Sequence, residues 1–407
     1  MKISDICGMK RVIYQKLVEH ITAKEATVLT GARQTGKSTL LKQLRDYLEL
    51  KGETVQFFNL ERKELLSDLG AHPENIFKYL PSHENRRQYV LIDEVQYLPD
   101  PANFLKLLYD EHCDRIKLVI TGSSAFYIDE KFRDSLAGRK KIFELRTLDF
   151  EEYLLFSNAQ DELSELYRLQ SGAISVSVLE NRLWSYLDTY LTYGGYPAVV
   201  LEPDNGAKQE RLAELRDSFV KRDMLESGIG DEFKFYRLFT LLAAQTGSLL
   251  NISELSGTLH LSQHHLSHYL YVLQKCFHIN LVRPFSRNIR KELTKMPKIF
   301  FNDPGLRNIL VNYFAPLESR ADKGQILENY VYLRLARRYQ SDKIKYWRTA
   351  DGQEVDFIAE ESAFSGRAVE VKFSKAGFKA GKYARFRETY PEYPLEVWFW
   401  GEHALLM

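Results

Sequence analysis

At 407 residues the chain is longer than a single hydrophobic core ordinarily organises, which predicts two or three domains. Apolar residues make up 44% and charged residues 27%, close to globular averages, so a disordered or fibrous chain is excluded. Lysine plus arginine number 56 against 55 aspartate plus glutamate, so no bulk field marks a nucleic-acid binder and any such role must rest on local patches.

Cys7, Cys113 and Cys276 lie far apart and lack the paired C-x-x-C spacing of zinc sites, so they read as free thiols of a reducing compartment. The N-terminal run MKISDICGMKRVIYQKLVEHI has no continuous apolar stretch, and nowhere does an apolar run approach the ~20 residues that span a bilayer. The expectation is a cytoplasmic protein with no membrane partner.

In chain order, the first part alternates helix and strand. An amphipathic stretch at 12–21 precedes a strand at 26–30 and a helix at 37–50. Strands follow at 55–60 and 89–92, a helix around 104–109, and strands at 117–120 and 141–145. Strands that are continuous apolar runs, alternating with helices, predict a parallel sheet covered on both faces. From 149 to 245 the period is helical throughout. Residues 251–274 read as short helix, turn, helix, and 279–301 as two strands around a basic loop. Beyond 322 the order is a helix at 325–339, strands at 344–348, 354–360 and 368–373, a helix at 379–390 and a strand at 395–400. The expected regions are therefore 1–148, 149–245, 246–321 and 322–407, within an α/β fold.

Residues 31–38 read G-A-R-Q-T-G-K-S, a full match to G-x-x-x-x-G-K-[ST] between an apolar strand and a helix. Gly31 and Gly36 let the backbone curl so that consecutive N–H groups point at a phosphate, while the following helix adds its positive end. The segment Gly31, Ala32, Arg33, Gln34, Thr35, Gly36, Lys37, Ser38 and Thr39 is thus the predicted ATP-binding loop. Lys37 brings a point charge to the outer phosphates, and the Ser38 hydroxyl suits Mg2+.

The run Y-V-L-I-D-E-V-Q at 89–96 is a buried strand from whose C-terminal end two carboxylates emerge, the edge at which open α/β sheets bind ligands. Asp93 suits the magnesium shell, and Glu94 suits activation of water in line with the γ-phosphate. One strand further, L-V-I-T-G-S-S places Thr121 or Ser123 toward the γ-phosphate. Arg139, just before the last strand of this region, is a candidate arginine finger in cis or toward a neighbouring subunit of a homo-oligomer, against the alternative of a plain surface arginine.

The runs GARQTGKST, VLIDEVQYLP, ITGSSA and LAGRKKIFELRTLDFEEYL, with G-G-Y-P at 194–197 and F-F-N-D-P-G-L-R at 300–307, resemble the AAA-type ATPases of the archaeal-ATPase-like group. The resemblance covers essentially the whole chain. It implies a P-loop AAA-type ATPase core, a helical and winged-helix middle, and a C-terminal domain similar to restriction-endonuclease-like nucleases.

Within the middle region, Ser262 is placed as an N-cap, and Leu266, Tyr269, Leu270 and Leu273 share one apolar helical face. Gln263, His264, Ser267 and His268 lie opposite and suit a partner such as a DNA major groove, and Arg287, Arg290 and Lys291 suit phosphates from a wing. The competing reading is a protein-packing module, since this helix carries few of the side chains that commonly read bases.

In the last region D-G-Q-E-V-D-F puts Asp356 on a strand, and A-V-E-V-K puts Glu370 and Lys372 on one face of the next. Carboxylates from neighbouring strands can hold a hard divalent ion, and a lysine beside them can steady a hydroxide or a phosphate oxygen. With Glu328 on the preceding helix, this order resembles the core of PD-(D/E)xK nucleases and implies a second divalent cation. The expected function is an ATPase whose nucleotide state controls a DNA-facing helix and a nuclease-like domain. The alternative is a nucleotide-gated interaction protein whose C-terminal domain docks a partner without cutting DNA.

Overall fold

The computed structural model describes residues 9–81, 86–122, 138–286, 288, 292, 295–362, 364–376 and 378–406. Within them the chain forms two compact units, one running to Thr147 and taking in Lys275–Phe277, the other comprising Leu148–Gln274 and the residues from His278 onward.

The first unit is built on five parallel strands, β1 (Ala26–Thr30), β2 (Val55–Asn59), β3 (Gln88–Asp93), β4 (Ile116–Gly122) and β5 (Lys140–Glu144), in the order β2-β3-β4-β1-β5. Alternate residues of each strand feed opposite faces. Val28, Val90, Ile92, Leu118 and Ile120 pack with Phe104, Leu105 and Leu108 of helix Pro101–His112. Leu29, Leu91 and Val119 pack on the other side with Leu40, Leu41, Leu44 and Leu48 of helix Lys37–Leu50 and with Leu17 of helix Ile13–His20. Apolar side chains on both faces are what a continuous apolar strand sequence requires, and they fix the sheet between two helical layers. Because β4 lies between β1 and β3, the C-terminal ends of all three strands are neighbours.

The second unit combines helices with a mixed six-stranded sheet. Its strands are β6 (Ile279–Pro284), β7 (Lys298–Phe301), β8 (Ile344–Arg348), β9 (Glu354–Ser362), β10 (Ser365–Lys372) and β11 (Leu395–Phe399), in the order β11-β10-β9-β8-β6-β7. The expected helix-turn-helix is present as Ile252–Leu259 and Gln263–Lys275. Asn251 Oδ1 caps the first helix by accepting from Ser253 N at 3.1 Å and Glu254 N at 3.2 Å, and Ser262 Oγ accepts from His265 N at 3.2 Å at the start of the second. Leu266, Tyr269, Leu270 and Leu273 are buried, and Gln263, His264, His265 and Ser267 are exposed.

The strands expected to frame a wing, β6 and β7, pair antiparallel with each other, and β6 also runs parallel with β8 through Arg283 and Pro284. The boundary expected between 321 and 322 therefore falls inside one continuous sheet, because β6 has ladder partners on both sides. Arg287, Arg290 and Lys291 of the expected wing lie outside the described residues. The helix expected at 379–390 is instead a 3-10 turn, Ala380–Tyr383, followed by helix Ala384–Thr389, with Gly381, a poor helix former, in the turn.

G-G-Y-P and N-D-P-G meet in space. Asp303 caps helix Pro304–Leu310 by accepting from Leu306 N at 2.9 Å through Oδ1, and its Oδ2 accepts from Gly195 N at 2.8 Å. Asn308, also on that helix, donates at 2.9 Å to the Leu191 and Thr192 carbonyls at the end of helix Glu180–Tyr193. Gly194 holds φ +77° with Asp303 Oδ1 2.2 Å from where a Cβ would stand, so only glycine allows this approach. Gly194→Ala is expected to lower stability by about 2–3 kcal/mol through strain and overlap. A fall in the urea midpoint at unchanged slope reads it, and an unmoved midpoint contradicts it.

Candidate functional site

The loop after β1 is shaped by two residues that tolerate no ordinary side chain or need the left-handed region. Gly31 has φ +147°, and a Cβ there would sit 2.0 Å from the Leu145 carbonyl oxygen; Gly36 has φ +97° and leads directly into helix Lys37–Leu50. Gln34 takes φ +58° at the tip. Thr35 Oγ1 donates to Ala32 O at 2.8 Å, closing the loop on itself. Lys37, 5% exposed, folds its ammonium onto the Gly31 and Ala32 carbonyls at 2.9 and 2.7 Å. Its positive charge is thereby held inside the curl that a phosphate would enter, at the N-terminal end of a helix, where the first-turn N–H groups have no intrahelical acceptors. The residues present fit a nucleotide triphosphate.

Arg11 was not legible as part of this site. Its guanidinium donates to Thr35 O at 2.9 Å and to Arg146 O at 2.8 Å, tying the P-loop to the chain after β5. Nothing in its local sequence marks it, because both acceptors are backbone atoms set by the fold.

Asp93 is 3% exposed at the end of β3, and its Oδ1 accepts from Ser38 Oγ at 3.1 Å and from Thr121 Oγ1 at 2.5 Å. Two motif hydroxyls, one from the first turn of helix Lys37–Leu50 and one from β4, thus converge on one carboxylate oxygen at the end of β3. Thr121 Oγ1 also accepts from Glu94 N at 3.0 Å, which fixes the backbone of Glu94 at φ +61°. The Gln96 side-chain amide donates to Glu94 Oε2, orienting the second carboxylate. Ser38 and Asp93 together offer two hard oxygens to a magnesium ion beside the loop. Ser123 lies outside the described residues.

Arg139 is placed elsewhere. Its carbonyl accepts from Ala26 N at 2.9 Å at the N-terminal end of β1, and its guanidinium grips Asp110 at 2.6 and 3.2 Å. In a parallel sheet that edge is the one opposite the P-loop, and the five residues of β1 separate the two by roughly 16 Å. The cis arginine-finger expectation is corrected on that ground.

In the second unit the four residues read as a nuclease-like set come together, joined by three that sequence reading missed. Asp356 Oδ2 accepts from Val371 N at 2.8 Å and Glu370 Oε2 from Asp356 N at 3.2 Å, so β9 and β10 lock their carboxylates across the ladder. Glu370 Oε1 accepts from Tyr383 OH at 2.7 Å and from the Lys372 ammonium. Glu328 and Glu354 flank the buried Lys298 ammonium at 2.6 and 2.5 Å. Glu354 was findable by the two-residue strand period from Asp356, whereas Lys298 and Tyr383 arrive from distant segments. Burial, with Glu328 and Glu370 nearby, pushes the Asp356 carboxyl well above its usual range. Burial opposes the charge on Lys298, yet Glu328, Asp356 and Glu354 outweigh it and hold that ammonium above its ordinary value.

Comparison with known proteins agrees with the first unit and is silent on chemistry for the second. Residues 23–154 match the family described as AAA domain, residues 185–317 a domain of unknown function (DUF8612), and residues 323–397 a domain of unknown function (DUF4143). An uncharacterized protein of Haemophilus influenzae is 29% identical over 86% of this chain and 82% of its own length. An uncharacterized protein of Methanocaldococcus jannaschii is 24% identical over 87% and 76%. Among solved structures, the Aeropyrum pernix ORC1 protein in complex with DNA is similar at 11% identity and TM-score 0.34, covering 76% of this chain and 95% of that one. Domain III of the Thermotoga maritima replication initiation protein DnaA is similar at 19% identity and TM-score 0.31, covering 39% and 73%. No helix among the described residues is long and apolar enough to cross a membrane. Residues 23–154, the part that matches the AAA domain model, carry the P-loop on a five-stranded parallel sheet, and a helical middle and a second, mixed sheet follow.

Thr121→Val keeps the shape of the strand end and removes the hydroxyl that holds Asp93. It is expected to weaken magnesium-dependent nucleotide binding by about 10–100-fold, the usual effect of losing an outer partner of a metal ligand. Titration of a fluorescent ATP analogue with and without magnesium checks this, and an unchanged magnesium dependence contradicts it.

Proposed function

We propose that the chain hydrolyses ATP. The observation that carries this reading is the Asp93 carboxylate fixed between the Ser38 and Thr121 hydroxyls, with Glu94 set next to it by the same threonine. Lys37 leaves its loop carbonyls to meet the outer phosphates, as its reach to Gly31 and Ala32 allows. Magnesium on Ser38 and Asp93 would neutralise charge developing on the phosphates. Glu94, steered by the Gln96 amide, accepts the proton of the attacking water, and the products are ADP and phosphate.

Duplex DNA is the partner we assign to the helix-turn-helix, on the support of its exposed polar face of Gln263, His264 and Ser267 opposite a buried apolar one. A role for Arg139 at a nucleotide belongs to a second copy of the chain, since its own P-loop lies at the other sheet edge.

Lys37→Ala and Glu94→Gln are each expected to cut magnesium-dependent phosphate release by at least about 100-fold. Only Glu94→Gln should keep nucleotide binding near wild type. Wild-type turnover no faster than buffer contradicts the reading. Duplex DNA is expected to raise turnover, and the double substitution His264→Ala with Ser267→Ala to remove that rise; turnover indifferent to DNA rejects DNA as the partner while leaving hydrolysis standing.

A further inference from the structure

Oxygens of Glu328, Glu354 and Asp356 lie within 4.8 Å of one another, a spacing that a hard divalent ion takes. Glu328 and Asp356 belong to the set that the resemblance to PD-(D/E)xK nucleases reads as metal-holding, and Glu354 joins them here in place of Glu370. The centre of that triangle is filled by the protein itself. Lys298, on β7 of the same sheet, sets its Nζ 2.6 Å from Glu328 Oε1, 2.5 Å from Glu354 Oε1 and 3.9 Å from Asp356 Oδ1, with its side chain only 3% exposed. An ion making oxygen contacts of about 2.0–2.6 Å to those carboxylates would lie against this ammonium, like charge beside like charge in a buried site.

Three carboxyl groups have further oxygens engaged by the chain as well. Glu354 Oε2 faces Arg348 Nη1 at 3.0 Å, Asp356 Oδ2 accepts from Val371 N at 2.8 Å, and Glu370 serves Tyr383, Lys372 and Asp356 N. Four carboxylates, Glu328, Glu354, Asp356 and Glu370, are thus met by three cations of the chain, Lys298, Lys372 and Arg348. Buried carboxylates demand paired charge, and here side chains supply it. The donor set does not fit a divalent ion while Lys298 stands in it.

We infer that Lys298 is the resident cation of the C-terminal acidic pocket and takes the place of a divalent metal, so that this unit keeps the frame of a metal nuclease with its ion position closed. The inference rests on the second unit alone and stands whether or not the P-loop hydrolyses ATP.

Manganese binding to the full chain without nucleotide, read from the free-ion resonance signal, tests it with wild type, Asp356→Asn, Lys298→Met and the Lys298→Met, Asp356→Asn double variant. Any manganese held near Asp93 is common to all four and cancels. Wild type and Asp356→Asn are expected to bind equally. Lys298→Met is expected to gain one site, tighter by at least about tenfold than any manganese binding wild type retains there, and the added Asp356→Asn to abolish it. A wild-type site that Asp356→Asn removes overturns the inference, and so does a folded Lys298→Met with no gained site. Should Lys298→Met fail to fold by circular dichroism, wild type against Asp356→Asn decides by itself. Nicking of supercoiled DNA gives a second readout: wild-type nicking with manganese that both Asp356→Asn and Lys372→Ala abolish overturns the inference, and its absence supports it.

Discussion

The P-loop unit depends on one buried carboxylate having two hydroxyl partners. Asp93 is nearly closed to solvent, and a carboxylate in that position is costly unless its oxygens are hydrogen-bonded. Ser38 and Thr121 satisfy it, and they arrive from elements that are adjacent only because β4 lies between β1 and β3. The register matters as much as the order. Leu29 pairs with Thr121 and Ile92 with Ile120, and a slip of one residue would turn Thr121 to the other face and bury Asp93 without its second donor. Sheet topology and candidate chemistry are therefore one constraint.

Much of that site was legible because its information is local. A glycine-bounded loop between an apolar strand and a helix needs only consecutive residues to specify its shape, and two carboxylates after Y-V-L-I announce a strand end. Thr121 was legible for the same reason. Arg11 was not, since its acceptors are backbone oxygens contributed from position 35 and from beyond 145. Arg139 shows a different limit. Its nearness in sequence to the last strand suggested a place at the nucleotide, yet a residue preceding a parallel strand stands at the edge where strands begin, and there Asp110 holds it.

In the second unit, motifs carried structure more readily than function. G-G-Y-P and N-D-P-G, which carry part of the family resemblance, explain each other structurally: the Asp303 carboxylate caps one helix and pins the glycine turn after another. The acidic residues on β9 and β10 could be matched to a nuclease pattern because strand periodicity puts them on one face. What that pattern omits is the counter-charge. Lys298 comes from a strand that sequence reading had assigned to a wing, and only the continuity of the sheet from β7 through β6 and β8 to β9 brings it among the carboxylates. A charge balance closed by long-range pairing has no local signature.

Calorimetric titration of the full chain with a non-hydrolysable ATP analogue, in magnesium and again in excess chelator, tests the nucleotide site most directly. One saturable site per chain, weakened by at least about tenfold when magnesium is withdrawn, is the result that Ser38, Asp93 and Lys37 predict. No uptake of the analogue in the presence of magnesium contradicts it.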